Sequence, residues 1–405
     1  MSVLTNRRIL LGVTGSIAAY KAADLASKLT QAGAQVDVIL SRSAEQFITP
    51  LTFQSVTGRR AFVDTDLWGS EAHVLHVGLG HTVDLLILAP CTANTIAKLA
   101  HGIADSLLTV TALAANCPLL IAPAMDGGMF EHPATQENVD TLKKRGAIFI
   151  GPAQGHLASG LSGTGRMVEP LEILGYARLA LAHTGVLAGK KVIVTAGGTQ
   201  EPLDPVRVLT NRSSGKQGYA LAQAALDAGA QLTLITTPTA LPPPVGADVK
   251  HMETAKQMLD CVLTESVDSD ALIMAAAVAD FRPKAMAKDK IKKEGGIPRI
   301  ELEATEDILK TVAAQRSAAQ RKRPLVVVGF AAESRHLLEN ATAKLQSKGL
   351  DFIAANDISA GDAGFAVETN RVTLLFADGR SEALPLMSKS EVAETIIERV
   401  AALLE

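Results

Sequence analysis

The stretch VTAGGTQEPLDPVRVLTNRSSGKQGYALA, residues 194–222, decides how the second half of the chain folds. An apolar run, KKVIVT (190–195), ends in Gly197-Gly198. A polar loop of about twenty residues follows, and only then does an Ala-rich helical pattern begin. A plain dinucleotide site passes from glycine turn to helix almost at once, as G-x-G-x-x-G. Here the loop carries Asn211, Arg212, Ser213, Ser214, Gly215 and Lys216. These are hydrogen-bond donors and cations on flexible backbone, the composition of a phosphate-handling loop with additional chemistry in it.

Working outward, the same architecture starts twice. Near the N-terminus RRILLGVTGS (7–16) reads as strand and glycine turn, a helix runs to Gln31, and AGAQVDVILS (32–41) gives the next strand. In the middle KKVIVTAGGT reads as strand and turn, a helix spans Gly218 to Asp227, and AGAQLTLITT (228–237) gives the next strand. Ala-Gly supplies the helix C-cap in both. The first half continues with apolar strands at 85–90, 118–123 and 147–152, separated by helical patterns at Thr95 to His101, Ala104 to Ala115 and Pro133 to Arg145. The second half has strands at 271–280, 324–333 and 351–357. This alternation predicts an α/β protein of two doubly wound, Rossmann-like domains, each with a mostly parallel sheet. The helical stretch from Leu171 to Leu187 forms the junction, placing the domains at 1–188 and 189–405. LPPPVG (241–246) reads as a surface turn and KDKIKKEGG (288–296) as a mobile basic loop.

Composition agrees with that reading. The chain is 47% hydrophobic but only 3% aromatic, so small aliphatic residues supply the core, as in parallel strands buried on both faces. A net charge of -3 gives no electrostatic reason to expect nucleic acid or a membrane surface as partner. Cys91, Cys117 and Cys261 are far apart and fit no zinc or disulfide framework, so a reducing cytoplasm is the simplest compartment. Arg7-Arg8 before ILLGVTGSIAA has the outline of a signal peptide, but Gly12 and Gly15 interrupt the run and an amphipathic helix follows. No apolar stretch reaches the roughly 20 residues of a spanning helix.

In open α/β sheets ligands sit at the carboxyl ends of the strands. After the first strand comes GVTGSIAAYK (12–21), whose Gly15-Ser16-Ile17 amides open a helix and suit a phosphate. Later strands are followed by Cys91-Thr92-Ala93-Asn94, by Ala124-Met125-Asp126-Gly127-Gly128-Met129-Phe130, and by the glycine-rich GHLASGLSGTGRMVEP (155–170). Together with AGGTQEPLDPVR, NRSSGKQGYALA, AAAVADF, KIKK, GFAAE and KLQSKGLDFIAAND, these segments resemble the family of bifunctional coenzyme A biosynthesis proteins. In that family a phosphopantothenoylcysteine decarboxylase of the HFCD flavoprotein type is fused to a phosphopantothenate–cysteine ligase. The resemblance covers nearly the whole chain, in the expected order.

For the first half the resemblance implies FMN, with its phosphate at Gly15, Ser16 and Ile17, and further contacts at Ser41, Thr92, Asn94, Ser106 and Leu107. His76 in LHVGLG matches the active-site histidine, and an imidazole titrates in the range that a thiol proton requires. His73 and His81 lack the partners of a metal site and are read as structural or surface residues. Met125, Met129 and Arg166 fall in the substrate segment and flap. Two positions depart from the family pattern: Asp126 stands where the family has Asn, and Ser159 where the flap has Cys. An ionised Asp126 would repel a substrate carboxylate, so it is protonated, offset by a cation such as Arg166, or used differently.

For the second half the resemblance implies CTP as activating nucleotide, an acyl-cytidylate intermediate, and release of CMP and pyrophosphate. It implies that Asn211 governs turnover of the acyl-cytidylate and Lys290 its formation. Met274, Ala275, Ala276, Asp280, Asp307, Ile308, Phe330, Lys344 and Lys348 are implied as substrate contacts, with Mg2+ at Asp280. Lys344 and Lys348, four apart on a helix, can face one phosphate chain, although a solvated helix face would read the same way. The family assembles as trimers through the flavin half and dimers through the ligase half, which implies a homo-oligomer, a dodecamer. Two other readings compete. One is a ligase whose flavin half is a regulatory or binding module, motivated by Asp126 and Ser159. The other is a nicotinamide-linked oxidoreductase, which the absence of G-x-G-x-x-G disfavours.

Overall fold

Strands such as Arg8–Val13 are apolar along nearly their whole length, so they demand cover on both faces, and the chain supplies it with helices on each side. The computed structural model describes residues 3–68, 75–156, 160, 162–292, 298–318, 323–333, 336–357 and 367–405. It divides into two compact units, 2–182 and 183–405.

In the first unit β1 (Arg8–Val13), β2 (Gln35–Leu40), β3 (Ala61–Val63), β4 (Leu85–Cys91), β5 (Leu119–Pro123) and β6 (Ile148–Phe149) form one sheet in the order β3-β2-β1-β4-β5-β6. Every pairing is parallel. Alternate strand residues enter opposite cores. Ile9, Leu11 and Val13 pack with α1 (Ala19–Gln31), α2 (Pro50–Thr57) and α8 (Pro170–Ala182). Leu10 and Leu86 pack with α3 (Leu75–His81), α4 (Ala93–His101), α5 (Leu107–Ala114) and α7 (Pro133–Lys144). A one-turn α6 (Gly127–Glu131) precedes α7, and the antiparallel hairpin β7 (Ala153–His156) and β8 (Ser162–Arg166) precedes α8. The chain reverses direction across the sheet between β1 and β4, which makes their carboxyl ends the switch point. The expected strand at 147–152 is only two residues long, because the chain turns at Gly151 (φ 74) into the hairpin.

In the second unit β9 (Lys191–Ala196), β12 (Gln231–Thr236), β13 (Asp248–His251), β14 (Ala271–Met274), β17 (Val326–Glu333), β18 (Phe352–Asp357), β20 (Val372–Phe376) and β21 (Ser381–Ala383) form a sheet ordered β13-β12-β9-β14-β17-β18-β20-β21. It is parallel as far as β18 and antiparallel beyond it. One face packs on α9 (Lys216–Asp227) and α13 (Lys389–Leu404), the other on α10 (Ala255–Ser266), α11 (Ile308–Ala318) and α12 (Leu337–Ser347). Small two-stranded ribbons join β10 (Gln200–Pro202) to β11 (Val208–Thr210), β15 (Phe281–Pro283) to β16 (Leu302–Ala304), and β19 (Thr369–Asn370) to β22 (Met387–Ser388). The polar loop after Gly198 therefore contains a hairpin before α9 begins. The apolar run 271–280 is not one strand. It leaves the sheet at Met274, and Ala277 then exchanges backbone hydrogen bonds with Gly197 O (2.8 Å) and Thr199 N (3.3 Å).

Candidate active sites

In the first unit Thr14 ties the two loops at the switch point. Its hydroxyl donates to Pro90 O (2.8 Å) and accepts from Thr92 N (3.0 Å). Gly15 follows, and a Cβ there would lie 2.4 Å from Ser43 Oγ. Only glycine lets this turn approach the β2 loop, where Ser41 Oγ and Ser43 Oγ stand 3.2 Å apart. Ser41 N donates to Val13 O (3.0 Å), so Ser41 sits beside the end of β1. Thr92 caps α4 through Thr95 N (3.4 Å), and Asn94 is exposed in its first turn. Ser106 caps α5 in a reciprocal box with Thr109. Asp64 gathers two of these loops, accepting from Leu107 N (3.2 Å) and Arg42 N (3.3 Å). Gly15, Ser16, Ile17, Ser41, Thr92, Asn94, Ser106 and Leu107 are thus loop and cap residues, most of them at the carboxyl edge of the sheet. Hydroxyls, a side-chain-free turn and the N-terminus of α1 make a cradle that fits a phosphate.

His76 lies on α3, which packs against α5, and its Nδ1 is buried without a hydrogen-bond partner among the described residues. A buried orphan nitrogen is costly unless a ligand or a reaction uses it. His73 and Ser159 fall outside the described residues. Asp126 is the N-cap of α6, its Oδ1 accepting from Gly128 N (3.0 Å). This is a structural use of the position, and it needs only an acceptor oxygen, which Asn and Asp both have. The hairpin docks on this segment: Met125 N donates to Gly165 O (3.0 Å). Met125 is half-buried and Met129 half-exposed beside it. Of the three alternatives for Asp126, its use as a helix cap is the one seen directly, and Arg166 has a carboxylate partner of its own in Glu169. Arg166 donates to Glu169 (2.6 Å), which also accepts from Lys21 (2.9 Å), because Glu169 lies one turn further along the same strand exit. The hydrogen bond from Lys21 leads in holding the Glu169 carboxyl below its usual range. Cys91 is buried, and burial pushes its thiol up, so it is no nucleophile.

In the second unit a cavity of about 600 Å³ opens at the β9/β14 switch point. It gathers residues from both faces of the sheet. Asn211 comes from the loop leading to α9 and Lys216 is the first residue of that helix, while Lys344 and Lys348 come from the end of α12 and its cap and Asp307 and Ile308 from the start of α11. Met274, Ala275, Ala276, Asp280 and Phe330 complete the expected set. Asn211 Nδ2 donates to Val278 O (3.1 Å), locking the NRSSGK loop to the AAAVAD loop. Thr195 and Thr199 hold the latter from below, accepting from Ala276 N (3.1 Å) and Ala279 N (2.9 Å). Asp307 caps α11 through Lys310 N (3.2 Å) and pairs with Lys348 (3.3 Å). Lys344 and Lys348 are half-buried cavity residues rather than a solvated face.

Lys290 does not line this cavity; it sits exposed on the 284–292 loop. That loop is anchored by Asp204, which accepts from the amides of Val206 (2.8 Å), Arg207 (2.8 Å) and Ile291 (3.1 Å). Burial pushes the Asp204 carboxyl upward, and these amides with Arg207 more than offset it, leaving it below the usual range. Among the cavity residues that the sequence reading did not single out are Asn356, Asn370 and Lys389. Asn356 lies near the carboxyl end of β18 in the motif AND and was findable; the other two lie far along the chain with no local mark. Among the described residues no group of three or more His, Cys, Asp or Glu is placed to hold a metal, and no helix is long and apolar enough to cross a membrane.

Two families match the chain end to end: Flavoprotein over residues 2–178 and the DNA/pantothenate metabolism flavoprotein C-terminal domain over 187–404. The coenzyme A biosynthesis bifunctional protein CoaBC of Bacillus subtilis is 45% identical over 99% of this chain and 98% of its own length. The CoaBC protein of Mycobacterium tuberculosis H37Rv is 44% identical over 98% of this chain and 97% of its own length. A solved C-terminal domain of a CoaBC protein is 39% identical, covers 55% of this chain and 98% of that domain, and has a TM-score of 0.46. The chain belongs to the CoaBC family of bifunctional coenzyme A biosynthesis proteins.

Proposed function

We propose that this chain joins 4′-phosphopantothenate to L-cysteine at the expense of CTP and then decarboxylates the product to 4′-phosphopantetheine. Residues 189–405 carry the ligase and residues 1–188 the FMN-dependent decarboxylase. The observations that support it best are the hydroxyl-lined glycine turn at the first switch point, the cavity with cations from both sheet faces at the second, and, on α3, a buried His76 Nδ1 without a partner among the described residues.

In the ligase the carboxylate of phosphopantothenate attacks the α-phosphate of CTP, pyrophosphate leaves, and the cysteine amine then displaces CMP. Positioning and charge neutralisation dominate such phosphoryl chemistry. Lys344, Lys348 and Lys216 bring positive charge to the cavity, and Asp280 would be the protein ligand of a Mg2+ ion that would neutralise the nucleotide phosphates. Lys290 acts from its loop when substrates are bound. Asn211 positions the acyl group through the loop contact it already makes. In the decarboxylase Gly15, Ser16 and Ile17 hold the FMN phosphate, and bound FMN supplies reversible two-electron oxidation. His76 takes the thiol proton at Nδ1 or its partner nitrogen. Asp126 shapes the substrate segment as a helix cap, and Ser159 replaces the family's flap cysteine as proton relay. The exposed apolar residues Val206, Val208, Phe281, Ile300 and Leu302 on the two ribbons favour homo-oligomerisation, up to a dodecamer. The test is direct: purified chain should be yellow with FMN and should release CMP only when both phosphopantothenate and cysteine accompany CTP. Colourless protein, or CMP release without cysteine, would contradict the reading.

A further inference from the structure

Lys389 is the first residue of α13 and is only 6% exposed, yet it lines the 600 Å³ cavity together with Lys216, the first residue of α9. The two helices pack on each other on one face of the sheet, so their N-termini come together at the cavity. Side chains tie the two starts. Gln217 Nε2 donates to Lys389 O (3.1 Å), and Asn370 Nδ2 donates to Gln217 Oε1 (3.3 Å). Glu368 takes part twice: its carbonyl accepts from Lys389 N (2.9 Å), and its exposed carboxylate pairs with the Lys216 ammonium.

Three features work against a positive charge on Lys389. It is buried, Lys216 is close enough to repel it, and it stands in the first turn of a helix, where the peptide dipoles present positive potential. Glu368 works the other way. Two lysine ammonium groups and two helix N-termini concentrate positive potential on one cavity wall, facing the exposed Glu368 carboxylate. The same wall carries the hydroxyls of Ser213 and Ser214. An extended anion with several oxygens is the chemistry that satisfies such a wall. The other lysine pair comes from the opposite face of the sheet, where Lys348 is already paired with Asp307.

We propose that Lys389 and Lys216 form the wall that holds the β- and γ-phosphates of the nucleotide, with Glu368 as a resident counter-ion that Lys216 exchanges for the polyphosphate on binding. The proposal rests on the CTP reading above and adds residues to it.

The test titrates the full chain calorimetrically with CTP and with CMP, which lacks the β- and γ-phosphates. Lys389→Met keeps an unbranched side chain one atom shorter and removes the charge. Charge-assisted hydrogen bonds predict CTP binding weakened about 10- to 100-fold and CMP binding changed less than about twofold. Its thermal midpoint should be unchanged or raised, since a buried methionine replaces a buried ammonium. Glu368→Gln should tighten CTP a few-fold, because Lys216 no longer has a competing partner. CTP and CMP weakened in equal proportion, or CTP bound by Lys389→Met as by wild type, would overturn the proposal. A wild-type chain that binds no CTP at all would overturn the nucleotide reading beneath it.

Discussion

Replacing Gly165 by alanine tests whether docking of the β7–β8 hairpin on the 125–127 segment is needed for decarboxylation. The added Cβ would lie 2.2 Å from Met125 O and 3.1 Å from both Asp126 C and Gly127 N. All three are backbone atoms, so no side chain can swing away. Restoring ordinary van der Waals contact requires the hairpin and the segment to part by more than an ångström, which also breaks the Met125 N to Gly165 O hydrogen bond. Overpacking of this kind costs about 1–3 kcal/mol and the lost hydrogen bond about 1 kcal/mol more, enough to shift the hairpin off its seat. A misplacement near 1 Å costs about 10²-fold in rate. We expect Gly165→Ala to decarboxylate phosphopantothenoylcysteine about 100-fold more slowly. FMN should be retained, because Gly15, Ser41 and Ser106 lie on other loops, and CTP-dependent ligation should be unchanged, because it belongs to the other unit. Single-turnover CO2 release, flavin absorbance and CMP release measure the three quantities. Decarboxylation within threefold of wild type would refute the docking argument, and loss of ligation as well would show a general folding defect.

His76→Asn should keep FMN and lose decarboxylation by roughly 10²- to 10⁴-fold, the usual worth of a positioned base, measured by CO2 release; an active variant would move the base elsewhere. Asn211→Asp replaces the donor to Val278 O with a carboxylate oxygen, so the two loops repel. Ligation should slow with acyl-cytidylate accumulating in a quench, and slow ligation with no trapped intermediate would assign Asn211 another role. Asp204 has a folded-state pKa below its unfolded value, so its anchor is complete above the ordinary carboxylate range and is lost as pH falls below it through the depressed value. Hydrogen exchange in residues 284–292 should therefore accelerate at acid pH in wild type and be fast at all pH values in Asp204→Ala; identical profiles would remove Asp204 from control of that loop.

Much of the fold was legible because parallel strands buried on both faces read as continuous apolar runs, punctuated by glycine turns and Ala-Gly caps. The same property misled at 271–280. Alanine-rich backbone that leaves the sheet to bond Gly197 and Thr199 is as apolar as a strand, and only the tertiary partners end it at Met274. The cavity residues that follow strands were visible as motifs. Asn370 and Lys389 were not, because α13 returns to α9 from more than 150 positions away in sequence and nothing local marks a lysine as buried. The sequence presents Arg166 as one cation that could offset Asp126; that Glu169 at the exit from β8 accepts from it is set by the hairpin's geometry, which the sequence does not display.

The measurement that tests the account most directly is mass analysis of the products formed by the full chain from 4′-phosphopantothenate, L-cysteine and CTP with Mg2+. The account predicts 4′-phosphopantetheine with CMP, pyrophosphate and CO2 in equal amounts. Accumulation of phosphopantothenoylcysteine with FMN bound and no CO2 would contradict it and leave the first unit as a binding or regulatory module.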